Sequence, residues 1–505
     1  MRFIKNILGL IVACFIVIPF VIGGGSYAEG TAPKETVDVT IHKRVYDTEP
    51  GDGYPKQNTG LEMTDFGGAP LDGAGFTIYD ATDTYYTELE GGGTPESAKA
   101  AALGMVLSEA TLVQEEHFTD SVDEAGSTTF TGLLMKDTAG RYKIYLIVET
   151  TTPTTPTIVK KSEPILLGLP VMKTVEGQEK INTDIHLYPK NVSGKDAKTF
   201  VNVTDFAKAT INGKEHRNVT TADTFNYQLT LSVPADIAKA TSYVVKDRPT
   251  DGLVYDTGTV KVEVGDTELA SPANYTLVTT NTGGGFDIVF NTDPESESNI
   301  IRTLGGKTLT ITYSMKLSDD IVPDTLVNNH ATVEVNGTQT SDMTTEEIFT
   351  GGFRFVKKDA YTTEGLVGAE FVVSDTNGSK FAEFALVDGD YVFRSWATTK
   401  TTATKITSGA GGAFAIKGLL YGKYVLHETA TSDNTKYLLP TEGFPFTIGE
   451  GTFGTTDIHE VKNVPKGFLP STGGKGIYGF LLVGAMMVGA AILWNRKVAK
   501  GKVKV

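Results

Sequence analysis

Short apolar runs that alternate with polar residues are the feature that most limits how this 505-residue chain can fold. Segments such as TVDVTIHKRV, NYQLTLSV and TLTITYSMKL recur along the chain, and 55 glycines help to separate them. Alternation with a period of two predicts half-buried β-strands, and many short strands between turns favour antiparallel sandwiches of the immunoglobulin type. The sequence therefore predicts an all-β protein built from tandem sandwiches.

One stretch carries the start signals of a helix instead. Thr94 can cap the helix, Pro95 suits its first position, and alanine-rich turns follow. This pattern predicts a helical insertion over Thr94–Gln114.

The amino-terminal residues have the pattern of an export signal. Basic residues precede the apolar stretch Ile7–Ile22, and the small residues Ser26-Tyr27-Ala28 follow it. This predicts a secretory signal peptide over residues 1–28. The only cysteine, Cys14, lies inside it, and a lipoprotein site there is disfavoured because apolar residues continue after it. The exported part then lacks cysteine, so covalent bracing would need chemistry other than disulfides.

The last segment of the chain combines three elements. The pentapeptide Leu469-Pro470-Ser471-Thr472-Gly473 precedes the uncharged run Ile477–Trp494, and a cluster of Lys and Arg residues follows. As a helix that run would extend about 27 Å, close to the thickness of a membrane core. The arrangement over residues 469–505 resembles the cell-wall sorting signal of Gram-positive surface proteins. The resemblance implies that a sortase cleaves between Thr472 and Gly473 and holds Thr472 as a thioester. The alternative is a plain membrane anchor.

Charge and composition set further limits. The net charge is −16, from 45 basic and 61 acidic residues, which disfavours nucleic-acid binding. The exported segment is long enough for about three domains. Compositional breaks at YPKNVSGKDAK and TTEEIFTGG predict boundaries that give domains 29–191, 192–348 and 349–465. Similar segments in the first and third of these indicate two domains of one type on either side of a different one.

The third domain combines a lysine, an acid and an asparagine on separate predicted strands. Lys357 lies in FRFVKKDA, Glu428 in YVLHET and Asn463 in HEVKN. A lysine in an apolar core has its charged form disfavoured and becomes nucleophilic. A buried carboxylic acid stays protonated and can donate a hydrogen bond to the amide carbonyl. The alternative is that these residues share no chemistry and are a surface lysine, a strand glutamate and a terminal asparagine such as any sandwich contains.

These segments resemble the collagen-adhesin B-type (CnaB) domain, whose first-strand KxD and YxLxET motifs they match. The resemblance implies that Lys357 and Asn463 condense into an isopeptide bond, promoted by Glu428. The second domain looks like the A-type (CnaA) domain, in which an aspartate replaces the glutamate. Its lysine, acid and asparagine would be Lys198, Asp247 and Asn329; Lys195 and Lys208 remain alternatives for the lysine.

The first domain offers a third set and a further motif. Lys43, Glu149 and Asn191 are its lysine, acid and asparagine, and the sequence does not decide whether their bond forms. The segment IHLYPKN resembles the pilin motif, YPK preceded by alternating apolar residues. That resemblance makes Lys190 the nucleophile that attacks the sortase-bound Thr472 of the next subunit. A strand that ends in an exposed Tyr-Pro-Lys turn is the alternative.

Taken together, the chain resembles the major (backbone) pilin of a sortase-assembled Gram-positive pilus, with CnaB-like, CnaA-like and CnaB-like domains in order. The resemblance implies a structural, non-enzymatic subunit in the cell wall, without a cofactor or a metal. Its partners would be other copies of itself, a pilus sortase, a housekeeping sortase, peptidoglycan, and minor tip and base pilins. A monomeric wall-anchored adhesin is the main alternative, which would not need Lys190. A wall-anchored enzyme is disfavoured because no cluster with catalytic spacing is visible.

Overall fold

The computed structural model describes residues 35–50, 58–280, 282–454, 456, 458–467 and 476–500. By internal contacts the chain divides into two units, one of residues up to 351 together with 418–420, and the other of 352–417 and the residues from 421 onward. The protein is all-β, as predicted. Each sheet takes its strands from one of three consecutive stretches, 36–193, 197–349 and 351–463.

The first stretch forms three sheets and a hairpin, with strand orders β12-β1-β6, β3-β2-β13-β8, β5-β4-β7-β9 and β10-β11. Its strands are β1 (Thr36–His42), β2 (Arg44–Tyr46), β3 (Ala69–Pro70), β4 (Gly75–Asp80), β5 (Thr111–Phe118), β6 (Ser127–Leu134), β7 (Ile144–Thr151), β8 (Ile158–Lys160), β9 (Ile165–Gly168), β10 (Met172–Val175), β11 (Gln178–Ile181), β12 (Asp184–Leu187) and β13 (Lys190–Ser193).

The second stretch packs two larger sheets and a small one around a single apolar core. The larger sheets have the orders β14-β17-β24-β20-β21, with β19 also on β24, and β22-β23-β18-β25-β26. The strands are β14 (Ala197–Phe200), β15 (Lys208–Ile211), β16 (Lys214–Asn218), β17 (Phe225–Ser232), β18 (Tyr243–Pro249), β19 (Leu253–Tyr255), β20 (Lys261–Val264), β21 (Thr267–Glu268), β22 (Tyr275–Val278), β23 (Phe286–Phe290), β24 (Thr308–Leu317), β25 (Asn329–Val335), β26 (Thr338–Thr344) and β27 (Ile348–Phe349).

The third stretch forms one nine-stranded sheet, in which the first strand, β28, pairs in parallel with the last, β36. Its strands are β28 (Gly351–Asp359), β29 (Glu370–Asp375), β30 (Phe381–Val387), β31 (Asp390–Ala397), β32 (Ile406–Thr407), β33 (Ala413–Leu419), β34 (Gly422–Ala430), β35 (Phe444–Ile448) and β36 (His459–Asn463).

The first two stretches also contact each other within one unit. The Ala235 N–H donates to the Ile158 carbonyl over 2.7 Å, and the Thr152 hydroxyl donates to Asp236 Oδ2 over 2.7 Å. The domain boundaries at residues 191 and 348 stay a prediction.

The helical insertion is shorter than predicted. Helices α1 (Thr82–Glu90) and α2 (Pro95–Leu103) lie in the first stretch, and Thr94 caps α2 as expected, with Ser97 completing a capping box. Gly104 ends α2, residues 105–110 form no helix or strand, and the last residues of the predicted helix, 111–114, belong to β5, which pairs with β4. The prediction over Thr94–Gln114 was wrong in its second half because sheet pairing outweighs local helix propensity there.

A third helix, α3 (Gly476–Lys500), covers the carboxy-terminal apolar run. Among the residues that the structure describes, no helix is long and apolar enough to cross a membrane.

Candidate functional site

Three buried side chains meet in the first stretch. Lys43 lies between β1 and β2, Glu149 on β7 and Asn191 on β13, and all three are buried. Lys43 Nζ donates to Glu149 Oε2 and to Asn191 Oδ1, each over 2.7 Å. Asn191 Nδ2 donates to Glu149 Oε1, also over 2.7 Å. Each group therefore hydrogen-bonds the other two, in a site closed to water.

Strand register explains why these residues meet. The parallel pairing of β2 and β13 places Asn191 opposite Val45, two residues after Lys43. The pairing of β4 and β7 places Glu149 opposite Phe76, whose ring centre lies 5.3 Å from Lys43 Nζ. Because side chains alternate across a strand, Lys43 and position 45 share a face and can reach the same asparagine.

The third stretch repeats this arrangement. Lys357 Nζ donates to Glu428 Oε2 over 2.7 Å and also to Asn463 Oδ1, and Asn463 Nδ2 donates to Glu428 Oε1 over 2.8 Å. Asn463 lies opposite Asp359 in the parallel pair β28–β36, again two residues after the lysine. Phe371 lies opposite Glu428, and its ring centre is 5.4 Å from Lys357 Nζ.

The sequence similarity noted between these two stretches thus has a structural counterpart. Phe76 of GAGF and Phe371 of GAEF take the same place beside the lysine. In both clusters the asparagine NH2, rather than its carbonyl oxygen, faces the carboxyl group. This differs from the expected hydrogen bond to the carbonyl, because the lysine already occupies the oxygen side of the amide.

The second stretch brings the lysine and the acid together in another way. Lys198 Nζ donates to Asp247 Oδ2 over 2.7 Å, and both side chains are fully buried. Lys195 and Lys208 instead form surface ion pairs with Asp47 and Glu215, at 3.4 and 2.8 Å. Of the three candidate lysines, the structure therefore places Lys198 in the core.

Tyr313 joins the acid to the asparagine in this cluster. Its hydroxyl donates to Asp247 Oδ2 and accepts from Asn329 Nδ2 over 3.2 Å. Asn329 Nδ2 also contacts Met315 Sδ at 3.0 Å. Asn329 Oδ1 is buried and has no hydrogen-bond partner among the described residues, so the lysine does not hydrogen-bond it here.

Burial gives the three lysines unusual acidity. It lowers the pKa of Lys43 and of Lys198 from 10.5 to about 8, against the opposing attraction of Glu149 and Asp247. Burial likewise lowers the pKa of Lys357 and raises the pKa of the Asp247 carboxyl. Both directions favour neutral forms in a dry core, which suits a neutral amine acting as a nucleophile.

Two residues that complete these clusters were not found from the sequence. Tyr313 lies among the alternating residues of β24, where its pattern is that of any core tyrosine. Ser162 lies in the short segment between β8 and β9, and its hydroxyl donates to Glu149 Oε2 over 2.8 Å. No local motif marks either residue, because both contacts depend on pairing between distant strands.

The YPK segment lies beside the first cluster. The Tyr188 N–H donates to Asn58 Oδ1, and the Tyr188 hydroxyl accepts from the Met63 N–H, both over 2.7 Å. The Phe66 ring stacks on Tyr188 at 4.7 Å and lies 5.5 Å from Lys190 Nζ. Lys190 is half-buried, and the residues 58–66 hold the segment that carries it.

Some predicted sites cannot be placed. The sorting pentapeptide, residues 469–473, and the predicted signal peptide with Cys14 lie outside the described residues. Within the described part of the chain, no group of three or more His, Cys, Asp or Glu residues could hold a metal ion.

Comparison with known families gives three matches. The N-terminal domain of the Gram-positive pilin subunit, D1, matches residues 34–192. A prealbumin-like fold domain matches residues 351–462, and the LPXTG cell wall anchor motif matches residues 462–504. Comparison with the curated protein sequences gives no match.

Several solved pilin structures are similar to this chain. The full-length RrgB pilus protein from Streptococcus pneumoniae is 19% identical with a TM-score of 0.51, over 87% of this chain and 99% of that one. The major pilin SpaD from Corynebacterium diphtheriae is 22% identical with a TM-score of 0.45, over 87% and 99%. The major pilin BcpA of Bacillus cereus is 17% identical with a TM-score of 0.42, over 85% and 99%. At such identity, the likeness to RrgB shows a shared fold.

The N-terminal match, the prealbumin-like match and the anchor match occur in this order along one chain. The chain therefore carries the N-terminal domain of a Gram-positive pilin, a prealbumin-like domain and an LPXTG cell wall anchor motif, and these matches place it on the cell wall, in a surface pilus of a Gram-positive bacterium.

Proposed function

We propose that this chain is the shaft subunit of a covalently polymerised pilus, joined head to tail through Lys190 and Thr472 and braced by internal Lys–Asn isopeptide bonds. The observation that carries the bracing is the triple contact of lysine, acid and asparagine in a closed core, which occurs twice in the same register. The order CnaB-like, CnaA-like, CnaB-like for domains 29–191, 192–348 and 349–465 belongs to the same proposal.

The buried clusters have the groups that the condensation needs. The lysine gives a proton to the acid, and its neutral Nζ attacks Cγ of the asparagine. The acid then passes this proton to Nδ2, the Cγ–Nδ2 bond breaks, ammonia leaves, and Nζ gives its second proton to the acid. The products are one amide bond and one ammonia, with no outside reagent. Holding the three groups in contact replaces an intermolecular encounter. The pairs would be Lys43–Asn191, Lys198–Asn329 and Lys357–Asn463, promoted by Glu149, Asp247 and Glu428.

The link between subunits uses a different lysine. Lys190 stands on β13 next to the buried Asn191, so it faces the other side of the strand and is half-buried rather than enclosed. A pilus sortase would present the thioester of Thr472 to this amine. A housekeeping sortase would pass the finished polymer to peptidoglycan, with minor pilins at the tip and the base. The shaft would support adhesion and colonisation.

The intersubunit link is tested by Lys190→Ala. We expect the ladder of boiling-resistant, high-mass species in cell-wall extracts to disappear, while anchored monomer persists because Thr472 can still be passed to peptidoglycan. Lys190→Arg should fail equally, because a guanidinium stays protonated. The matched control is Lys195→Ala, an exposed lysine nearby, which should leave the ladder intact. A ladder in the Lys190 variants would contradict the assignment of Lys190, whereas the lack of a ladder in the wild-type protein would favour a monomeric adhesin.

The internal bonds are tested by the intact mass of the purified exported part. We expect it to be lighter than the sequence mass by one ammonia per bond, and Glu428→Ala and Asp247→Ala should each restore one ammonia. Glu460→Ala removes a surface acid that pairs with Lys358 and should leave the deficit unchanged. An unshifted wild-type mass would refute all three bonds.

A further inference from the structure

We propose that the backbone N–H of Ser162 is a catalytic group for the first-domain bond, stabilising the negative charge that develops on Asn191 Oδ1 as Lys43 attacks. The inference rests on the proposed function, since it concerns the Lys43–Asn191 bond. It adds a role to a loop residue that the lysine, acid and asparagine pattern does not contain.

The contacts of Ser162 reach both of the other polar groups. Its N–H donates to Asn191 Oδ1 over 2.7 Å, and its hydroxyl donates to Glu149 Oε2 over 2.8 Å. The N–H is also 3.3 Å from Glu149 Oε2. A donor 2.7–3.1 Å from the oxygen that becomes charged is the geometry of an oxyanion hole.

The sheet topology explains how a loop residue is held there. Ser162 lies in the four residues between β8 and β9. Strand β8 pairs with β13, which carries Asn191, and β9 pairs with β7, which carries Glu149. The loop therefore connects β8, which lies beside the strand of Asn191, to β9, which lies beside the strand of Glu149. Both ends are fixed by pairing, so the N–H is positioned before the reaction starts.

The Ser162 N–H also determines the orientation of the Asn191 side-chain amide. A backbone N–H can only donate, and Lys43 Nζ donates to the same oxygen. Two donors facing one atom require that atom to be the amide oxygen, which leaves Nδ2 toward Glu149. The leaving nitrogen therefore faces the group that must protonate it.

The Ser162 N–H can donate a hydrogen bond to Asn191 Oδ1 at each stage of the reaction. Before attack, Asn191 Oδ1 accepts from both Lys43 and Ser162. Lys43 gives one proton to Glu149, and its neutral Nζ forms the bond to Cγ while the carbonyl π electrons move to Oδ1. Lys43 can no longer serve as a charged donor to that oxygen, but the Ser162 N–H still can. When the C–O double bond re-forms, Nδ2 takes the proton from Glu149 and leaves as ammonia. Nζ gives its second proton to Glu149, which ends protonated, and the Ser162 N–H then donates to the new amide oxygen.

The third domain supplies an internal comparison. There Asn463 Oδ1 accepts from Lys357 and Asn463 Nδ2 donates to Glu428, and among the described residues no backbone N–H joins these side-chain hydrogen bonds. A backbone oxyanion donor is thus a feature of the first cluster and not of the third, although the lysine, acid and asparagine match closely. The Lys357–Asn463 bond should be indifferent to any change at Ser162.

The experiment replaces the Ser162 N–H by an oxygen atom, using the α-hydroxy analogue of serine in cell-free translation of the full chain. Samples are quenched in denaturant over time, and cross-linked peptides for both bonds are quantified by mass spectrometry. We expect the Lys43–Asn191 bond to form about 100-fold more slowly, the effect of losing one oxyanion donor. The Lys357–Asn463 bond in the same molecules should keep its wild-type rate. Formation of both bonds at wild-type rates would overturn the inference.

Ser162→Ala separates the N–H from the hydroxyl and stays informative if the ester variant folds poorly. It keeps the N–H and loses only the hydrogen bond to Glu149, so we expect less than about a tenfold slowing. A loss as large as that expected for the ester would assign the effect to the hydroxyl and overturn the inference. If wild-type protein lacks the Lys43–Asn191 bond while the third-domain bond is present, the proposed function fails for the first domain, which is a different result.

Discussion

The first and third clusters differ from the second in which strands they would join. In the third, Lys357 and Asn463 belong to neighbouring parallel strands of one sheet, and in the first Lys43 directly precedes β2, the parallel neighbour of the strand that carries Asn191. In the second, Lys198 lies in the sheet of β17 and β24, whereas Asn329 lies in the sheet of β18 and β26. The former bonds would tie two adjacent strands, and the latter would tie the two faces of a sandwich.

This difference changes the polar groups that each cluster needs. Adjacent parallel strands bring the lysine within hydrogen-bond distance of both the acid and the amide oxygen. Across the sandwich, Lys198 reaches only the acid, and Tyr313 connects the acid to the amide. If the proposed reaction occurs in all three clusters, strand pairing would bring the lysine to the amide in the first and third, and Tyr313 would connect the acid to the amide in the second.

The largest expected effect is mechanical. Tension in a shaft would enter at Lys190 and leave at Thr472, so the second and third domains lie between these points along the chain and the first domain does not. We expect the wild-type protein to be nearly inextensible when it is pulled through those residues. Asp247→Ala and Glu428→Ala should each add one unfolding step, because each frees a loop of more than a hundred residues, worth about 5 kcal/mol by analogy with disulfides.

Glu149→Ala is the comparison variant for this measurement. It should add no step along the pulling axis, but it should raise the protease sensitivity of the first domain. Single-molecule pulling gives the readout, and long unfolding steps in the wild-type protein would contradict the load path.

A smaller effect should distinguish the second cluster chemically. Tyr313→Phe removes the hydroxyl that joins Asp247 to Asn329, and a hydrogen bond to a charged group is worth about 1.5–3 kcal/mol. We expect the Lys198–Asn329 bond to form roughly ten- to hundredfold more slowly, with the other two bonds unaffected. Timed peptide mapping measures all three together.

The matched control is Tyr243→Phe. Tyr243 is buried in the same core, and its hydroxyl has no hydrogen-bond partner among the described residues, so its loss should not slow the bond. Equal slowing in both variants would mean that packing, rather than the hydroxyl, explains the result.

The smallest difference is expected in pH dependence. The pKa of Lys43 and of Lys198 is about 8 in each case, so raising the pH removes the first Nζ proton to solvent and creates the nucleophile, and the carboxylate then carries the second Nζ proton to Nδ2. Between pH 7 and pH 8 the neutral fraction rises about fivefold, and both bonds should form faster by that factor before levelling off. Timed samples taken at several pH values after translation is stopped give the rates. Different midpoints for the two bonds would show that the clusters differ in lysine acidity as well as geometry.

The parts of these sites that the sequence predicts are those with local patterns. Lys357 and Asp359 are two residues apart on one strand, and Glu428 lies in a short motif, so each could be named without knowing the fold. Ser162 and Tyr313 could not, because they reach the acid only through pairing of distant strands. The same limit applies to secondary structure. The helix pattern of the sequence continues past Gly104, where α2 ends, into residues that form β5 because they pair with β4.

The order of residues on β13 has one further consequence. Lys190 and Asn191 are consecutive, so a shift of this strand by one residue against β2 would turn the lysine into the core and the asparagine outward. The Lys43–Asn191 bond could then not form. A completed Lys43–Asn191 bond would therefore occur only in subunits in which β13 pairs with β2 in the observed register. In each such subunit Lys190 would face outward before the subunit is added to the growing fibre.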